Sequence, residues 1–319
     1  MGFTRTAGTA LGRGRELGRR FVADATGRLG VRDAVHGAYL RSPLGLDREL
    51  RARNRSLRNR GAPDGFPLPP PRDAFLVTGI GYDLEHYIES GHLAAESLRE
   101  TLAEAGEAPE GLSPVLDFGC GCGRVLRHLH GPDGPELHGA DFNARMIRWC
   151  RTSLPFATYE VSGGQPPLPY ADATFGLVVA VAVFCNLNEP LQAMWRDELT
   201  RVLRPGGLLY LTVHGDTYLD LADRAGGTNA DAYPDAVLEA YRQGRLGVCG
   251  ADNGDGDGLV DDYVTCQVIH PQSYVRDVLA ERLELVAYRP GGARDSAQDE
   301  VLLRRPHTPV LSGRSAQAP

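Results

Sequence analysis

From Pro114 onward the chain alternates short apolar runs with amphipathic ones, and this rhythm limits the fold more than any other feature. "PVLDFG", "ELHGAD", "ATYEV" and "FGLVVAVAVF" read as strands, with "GRVLRHLH" and "NARMIRWCRTSL" as the helices between the first three. "PLQAMWRDELTRVL" then sets Leu191, Met194, Leu199, Val202 and Leu203 along one side of a helix, and "PGGLLYLTVHG" follows as a turn and a strand. Strands that are apolar without interruption have no solvent face, so βα units of this kind imply an α/β fold: a parallel sheet covered by helices on both faces.

The flanks are less regular. "GAPDGFPLPPPRD", residues 61–73, is the most Pro-rich stretch, and proline's fixed φ and missing donor make it an extended connector. A boundary falls there, between an N-terminal extension, residues 1–60, and the body. "DLEHYIESGHLAAESLRETLAEAG" has helical spacing interrupted at Gly91 and stops on Gly106, which predicts two short helices. After the fifth strand, residues 216–270 depart from the rhythm with many Gly, Asp and Tyr and are expected to be an insertion over one end of the sheet. "SYVRDVLAERL" as a helix and "LELVAYRP" and "DEVLLRRP" as strands complete the body, and residues 307–319 are expected to be a disordered tail.

Charge divides the chain in two. All 34 basic residues are arginine, 14 of them within residues 1–60 against 5 acids, so a basic arm precedes an acidic body in a chain of net charge −7. The arm is Arg-rich like a transit peptide, but it has many glycines and no apolar core of signal-peptide length. The richest apolar run, "LVVAVAVFCNL", ends at Leu187, too short to span a membrane. The six cysteines form no spaced framework, which places the chain in a reducing cytoplasm.

The loop in "SPVLDFGCGCGRVLRHL" is where chemistry is expected. A strand, a glycine turn and a helix put that turn at the C-terminal edge of a parallel sheet, where open α/β sheets bind ligands. Counting from Gly119, the third small residue of a dinucleotide fingerprint arrives one position early and Arg124 stands where Gly or Ala belongs. A nicotinamide-dependent oxidoreductase is thereby weakened as an alternative, and a P-loop lacks its Gly-Lys pair. Cys120 and Cys122 are too close for zinc-loop spacing, so no metal is expected. "DNGDGDGLVDD", residues 252–262, imitates a calcium loop but places Val264 where the bidentate acid belongs, and reads as a solvated acidic loop.

Four blocks in register, "VLDFGCGCG", "GADFN", "PPLPYADATFGLVVA" and "ELTRVLRPGGLLYLTVHG", make the chain resemble the class I S-adenosylmethionine-dependent methyltransferases over residues 113–215, and the last strands extend the likeness to about residue 305. The resemblance implies a Rossmann-like seven-stranded sheet with its last strand antiparallel, a methyltransferase domain at 112–306, and S-adenosylmethionine lying across the strand tips. Asp117 would meet the donor's amino group, and Gly119, Cys120, Gly121 and Gly123 would lie beneath it. Asp141, 22 positions beyond Gly119, would accept the ribose hydroxyls unless it caps the next helix. Phe142, Gly164 and Phe184 would border the adenine.

Methyl transfer needs nucleophile and methyl aligned, and a base only where a proton must leave. His214, closing the fifth strand, is the candidate base. Asn186 stands where similar enzymes often carry a histidine and could only orient the acceptor. Residues 61–111, with Tyr82, His86 and Tyr87, are expected to supply a lid excluding water. A small molecule or sugar is the expected acceptor, with nucleic acid or anionic membrane contact through the arm as the alternative role of residues 1–60. Binding of the donor without transfer is the remaining alternative.

Overall fold

The computed structural model describes residues 54–78, 83–224, 233–250 and 267–307. Most of the basic arm, Tyr82, the calcium-like loop and all but the first residue of the tail lie outside the described residues.

The first helices, α1 (Arg55–Arg60), α2 (Pro71–Thr78) and α3 (Leu84–Glu104), precede the sheet. Then come β1 (Val115–Phe118), α4 (Leu126–Leu129), β2 (Leu137–Asp141), α5 (Ala144–Ser153), β3 (Thr158–Val161), β4 (Phe175–Ala180), α6 (Glu189–Val202) and β5 (Leu203–Val213). Beyond β5 are α7 (Asp216–Arg224), α8 (Asp235–Arg242), β6 (Gly247–Cys249) and β7 (Gln267–Ile269). A short α-turn, α9 (Gln272–Tyr274), runs directly into one π-helical turn, Val275–Leu279, and β8 (Glu284–Arg289) and β9 (Asp299–Arg304) end the order.

Seven strands form one sheet in the order β3-β2-β1-β4-β5-β9-β8. The first five are parallel, and β9 runs antiparallel to both β5 and β8. Alternation along the central strands divides the core. Phe175, Val178 and Ala180 of β4 join Leu209, Leu211 and Val213 of β5 on the face covered by Trp195 and Leu199 of α6. Leu177, Val179, Leu208 and Tyr210 point to the other face, beneath Leu98 and Leu102 of α3 and Ile147 of α5. Every residue of β1 and β4 is buried, which is why they read as unbroken apolar runs.

Helix starts follow their side chains. Asp83, Asn143 and Asn188 cap α3, α5 and α6 by accepting from backbone amides of the first turn. The expected break at Gly91 is absent, and α3 runs unbroken for 21 residues. Gly91 is small because a neighbour is close: a Cβ there would lie 2.2 Å from the Arg124 carbonyl oxygen. The helix after the glycine loop is shorter than expected: Gly123 holds φ +70°, and the helix runs only over Leu126–Leu129. β4 ends at Ala180 rather than Phe184, since Ala182 turns the chain out of the sheet at φ +56°. Met194, assigned to the buried side of α6, is 40% exposed, and Trp195 takes its place in the core.

The Pro-rich stretch lies on the body. Asp64 accepts from Arg127 Nε and Nη2 at 2.6 and 2.8 Å, and Phe66 packs on Phe156 and His130. The expected insertion between β5 and β8 carries its own small core of Leu219, Tyr233, Val237, Leu238 and Ile269. β6 and β7 form a separate antiparallel ribbon, tied to the tip of β5 by a parallel bridge between Ile269 and His214. No helix among the described residues is long and apolar enough to cross a membrane.

Candidate active site at the strand tips

The parallel register brings the C-terminal ends of β1, β2 and β4 to one edge, with β5 extending beside them. The glycine loop leaves β1 at this edge, and its backbone is largely satisfied from within. Gly119 and Cys120 donate to Ala140 O, Gly121 donates to Asp141 Oδ2, and Gly123 donates to Cys120 O. Those four amides therefore form no anion-binding nest. Each glycine also has a positive φ and a neighbour in the space a side chain would need: Val183 at Gly119, Val77 at Gly121 and Leu154 at Gly123. The bareness thus serves close packing of α2, α5 and the turn after β4 around the loop.

Asp117, next to last in β1, has only 2% of its surface exposed, and its Oδ2 has no hydrogen-bond partner among the described residues. Burial pushes its pKa up to about 7, with Arg124 opposing and Asp141 adding to the rise. A buried carboxylate without a donor is costly in a folded chain, and here it sits directly below the glycine loop. An alkylammonium group would supply the missing charge and hydrogen bonds.

Asp141, at the tip of β2, accepts from Gly121 N and Asn143 N, both at 2.8 Å. Burial raises its pKa while those two amides pull it down. The cap of α5 is Asn143, not Asp141; Asp141 instead joins the two loops that frame the edge. Phe142, the next residue, is 39% exposed at the strand tip, and Gly164 is exposed with open space around it. Both are available to a flat ligand.

The structure gives other expected residues to the interior. Cys120 and Phe184 are buried in the cores on opposite faces of the sheet, so neither side chain reaches the edge. Cys120, Cys122 and Cys150 are all buried, and burial raises the pKa of each, which leaves them as inert thiols. No group of three or more metal-ligating side chains occurs among the described residues.

On the β4 and β5 side, Ala182 keeps its left-handed backbone because its N–H donates to Thr212 Oγ1 at 2.8 Å and its carbonyl accepts from Asn186 Nδ2 at 2.7 Å. Asn186 therefore closes its own turn. His214 is buried at the end of β5, stacked on Tyr218 with ring centroids 3.7 Å apart. Burial lowers its pKa to about 4, against a smaller contribution from the Val268 backbone. His270, fully buried beside it, and Gln192 on α6 carry no motif and were not anticipated. Tyr87 and His86 reach the loop from α3: Tyr87 Oη donates to Cys122 O at 2.7 Å, and His86 lies in the field of Arg124. Arg124 is itself bound to Asp295 at 2.8 Å in a buried pair.

Residues 116–211 match the family described as methyltransferase domain. Methyltransferase-like protein 27 of Homo sapiens is 32% identical over 114 residues, covering 35% of this chain and 45% of that protein. Malonyl-[acyl-carrier protein] O-methyltransferase of Enterobacter lignolyticus is 30% identical over 148 residues, 46% of this chain and 55% of that protein. The chain thus spans about half the length of the curated relatives it matches. A solved SAM-dependent methyltransferase from Methanosarcina mazei aligns with a TM-score of 0.43 at 20% identity, covering 61% of this chain and 92% of that one.

Proposed function

We propose, from the premise that residues 116–211 belong to the methyltransferase-domain family, that this chain moves a methyl group from S-adenosylmethionine to an O, N or C nucleophile of a small-molecule acceptor. The observation that carries the reading is Asp117, a buried carboxylate with an unpartnered oxygen at the glycine loop. It fits the ammonium of a methionine moiety and has no counterpart need in a pyrophosphate. S-adenosylmethionine, when bound, supplies an electrophilic methyl on a sulfonium.

The chain's residues then hold and orient. Asp117 takes the ammonium, and Asp141 presents its remaining lone pairs to the ribose hydroxyls while it keeps the glycine loop in place. Phe142 offers a ring face to the adenine, and Gly164 lets the base approach the backbone. Asn186 and His214 bound the acceptor side. A His of pKa about 4 is neutral near pH 7 and accepts a hydrogen bond, but it cannot strip a proton from an unactivated alcohol. An acceptor whose nucleophile is already electron-rich, such as a carboxylate, a free amine or a stabilised carbanion, needs no such base, whereas a sugar hydroxyl needs one from another group.

Residues 112–306 form the catalytic body in this reading, with α3 of the 61–111 segment packed on its sheet as part of the core instead of as a lid, and with 216–270 as the acceptor-side cap. Residues 1–60 extend it with a basic arm, and the protein acts in the cytoplasm. Calorimetric titration tests the reading. Saturable binding of S-adenosylmethionine, weakened at least tenfold by Asp117→Asn, is expected, with no binding of NADPH. The reverse pattern would overturn it. Incubating enzyme and donor with a cell extract, and searching for masses raised by one methylene, identifies the acceptor.

A further inference from the structure

Asn186 lies in the turn after β4 and His214 just past β5, and one tie between these segments runs through Ala182, which bonds both Asn186 Nδ2 and Thr212 Oγ1. A second, buried tie is made by a pair the sequence does not announce. Gln192 Nε2, on the first turns of α6, lies 3.1 Å from Phe184 O and 2.8 Å from Leu187 O. These two carbonyls bracket Asn186 and use both amide hydrogens, which also sets the orientation of the side-chain amide. His270 Nε2 approaches the same amide, 3.0 Å from Nε2 and 3.2 Å from Oε1. With both Nε2 hydrogens committed, the only bond available is donation from His270 Nε2–H to Gln192 Oε1. The Nε2 nitrogen of the ring therefore carries a proton, which the amide oxygen accepts.

The other end of the link is backbone. His270 N donates to His214 O at 2.7 Å, which joins the end of the insertion to the tip of β5. One continuous chain of hydrogen bonds thus runs from the carbonyls on either side of Asn186, through Gln192 and His270, to the carbonyl of His214. Both members are buried, at 0% exposure, so water cannot replace these bonds when one is lost.

We propose that Gln192 and His270 are positioning residues that act as one buried staple, fixing the turn at 184–187 against the end of β5 and so holding Asn186 and His214 at a set separation on the acceptor side. The assignment of that side rests on the methyl-transfer reading above; the staple itself does not. It makes the insertion a working part of the active-site wall, because residue 270 closes the insertion. Burial keeps the His270 ring uncharged, with a pKa lowered to about 3, against an opposing contribution from the Val268 backbone.

The test uses the full chain and needs no acceptor. Imidazole 15N spectra at pH 7 are expected to show His270 as the Nε2–H tautomer. Gln192→Leu and His270→Leu are each expected to raise amide hydrogen exchange at residues 184–187 and at 214–216 together, at least tenfold, while exchange in β1 and β4 stays unchanged. The double variant should be no worse than either single one. His270→Gln, which returns an N–H donor of similar reach, is expected to restore protection, and Met194→Ala on the exposed side of α6 should do nothing. Exchange confined to one of the two segments, additive effects, or an Nδ1–H tautomer would overturn the proposal. Should Gln192→Leu fail to fold, His270→Gln against His270→Asn decides it, since only the longer amide reaches Gln192. Titration of each variant with S-adenosylmethionine separates the two readings. Donor affinity is expected to be kept within about twofold, and absence of donor binding in the parent chain would sink the methyl-transfer reading while leaving the staple standing.

Discussion

The Asp141 carboxylate accepts the Gly121 amide at 2.8 Å across the gap between the tips of β2 and β1. Its other oxygen accepts the Asn143 amide. One side chain therefore shapes the glycine loop, orients the start of α5 and stands at the edge proposed above for the donor. Binding and folding cannot be separated at this position.

Asp141→Ala is accordingly expected to lose both. Two buried N–H groups would be left without acceptors, at about 1–3 kcal/mol for each group stranded. Donor affinity should fall in the same variant. Urea unfolding and S-adenosylmethionine titration check this, and an unchanged unfolding midpoint would show that the amides find other partners. Asp141→Asn, which keeps one carbonyl oxygen, should fall between the two.

Asp117 should behave in the opposite sense for stability. Its folded pKa of about 7 lies above the ordinary 3.8, so the folded chain keeps a proton that the unfolded chain releases. Between about pH 4 and 7 this group makes the donor-free fold less stable as pH rises. Asp117→Asn is expected to raise the unfolding temperature at pH 8 by ~2–4 °C while weakening donor binding. Because an ammonium favours the ionised carboxylate, donor affinity of the parent chain should increase from pH 6 to pH 8. Calorimetry in two buffers of different ionisation enthalpy should register proton release at pH 6.

His214 should not titrate near neutrality. Its folded pKa of about 4 lies below the ordinary 6.5, so stability from this group is full above pH 6.5 and is lost as pH falls toward 4. An NMR titration of the imidazole is expected to be flat from pH 8 to pH 5.5. An inflection near pH 6.5 would mean that the ring is wet, and would return it to the role of general base.

What the sequence revealed follows from the range of each interaction. β1, β4 and β5 were legible because strands buried on both faces are largely apolar, and the positions of Asp117 and Asp141, at or beside a strand end, follow from the strands themselves. Phe184 and Cys120 look like ligand contacts in a linear reading, since an apolar residue in a loop carries no sign of which way it faces. Gln192 and His270 are 78 positions apart and belong to no motif. The Arg124–Asp295 pair spans 171 positions, and Arg124 entered the sequence reading only as a departure from a nucleotide-binding pattern.

Gly91 shows most directly how a local rule yields to packing. Replacing an interior helical glycine with alanine ordinarily gains about 1 kcal/mol, and a break at Gly91 would make the exchange harmless. In the continuous α3, however, the new methyl would sit 2.2 Å from Arg124 O and 2.9 Å from Arg124 Cγ. The first is backbone and cannot rotate away, so α3 or the glycine loop must move, at a typical overpacking cost of about 1–3 kcal/mol. Gly91→Ala is therefore expected to destabilise the chain in urea and to weaken donor binding, because Arg124 is held to Asp295 and directly follows Gly123. A variant more stable than its parent would place α3 farther from the loop than this packing requires.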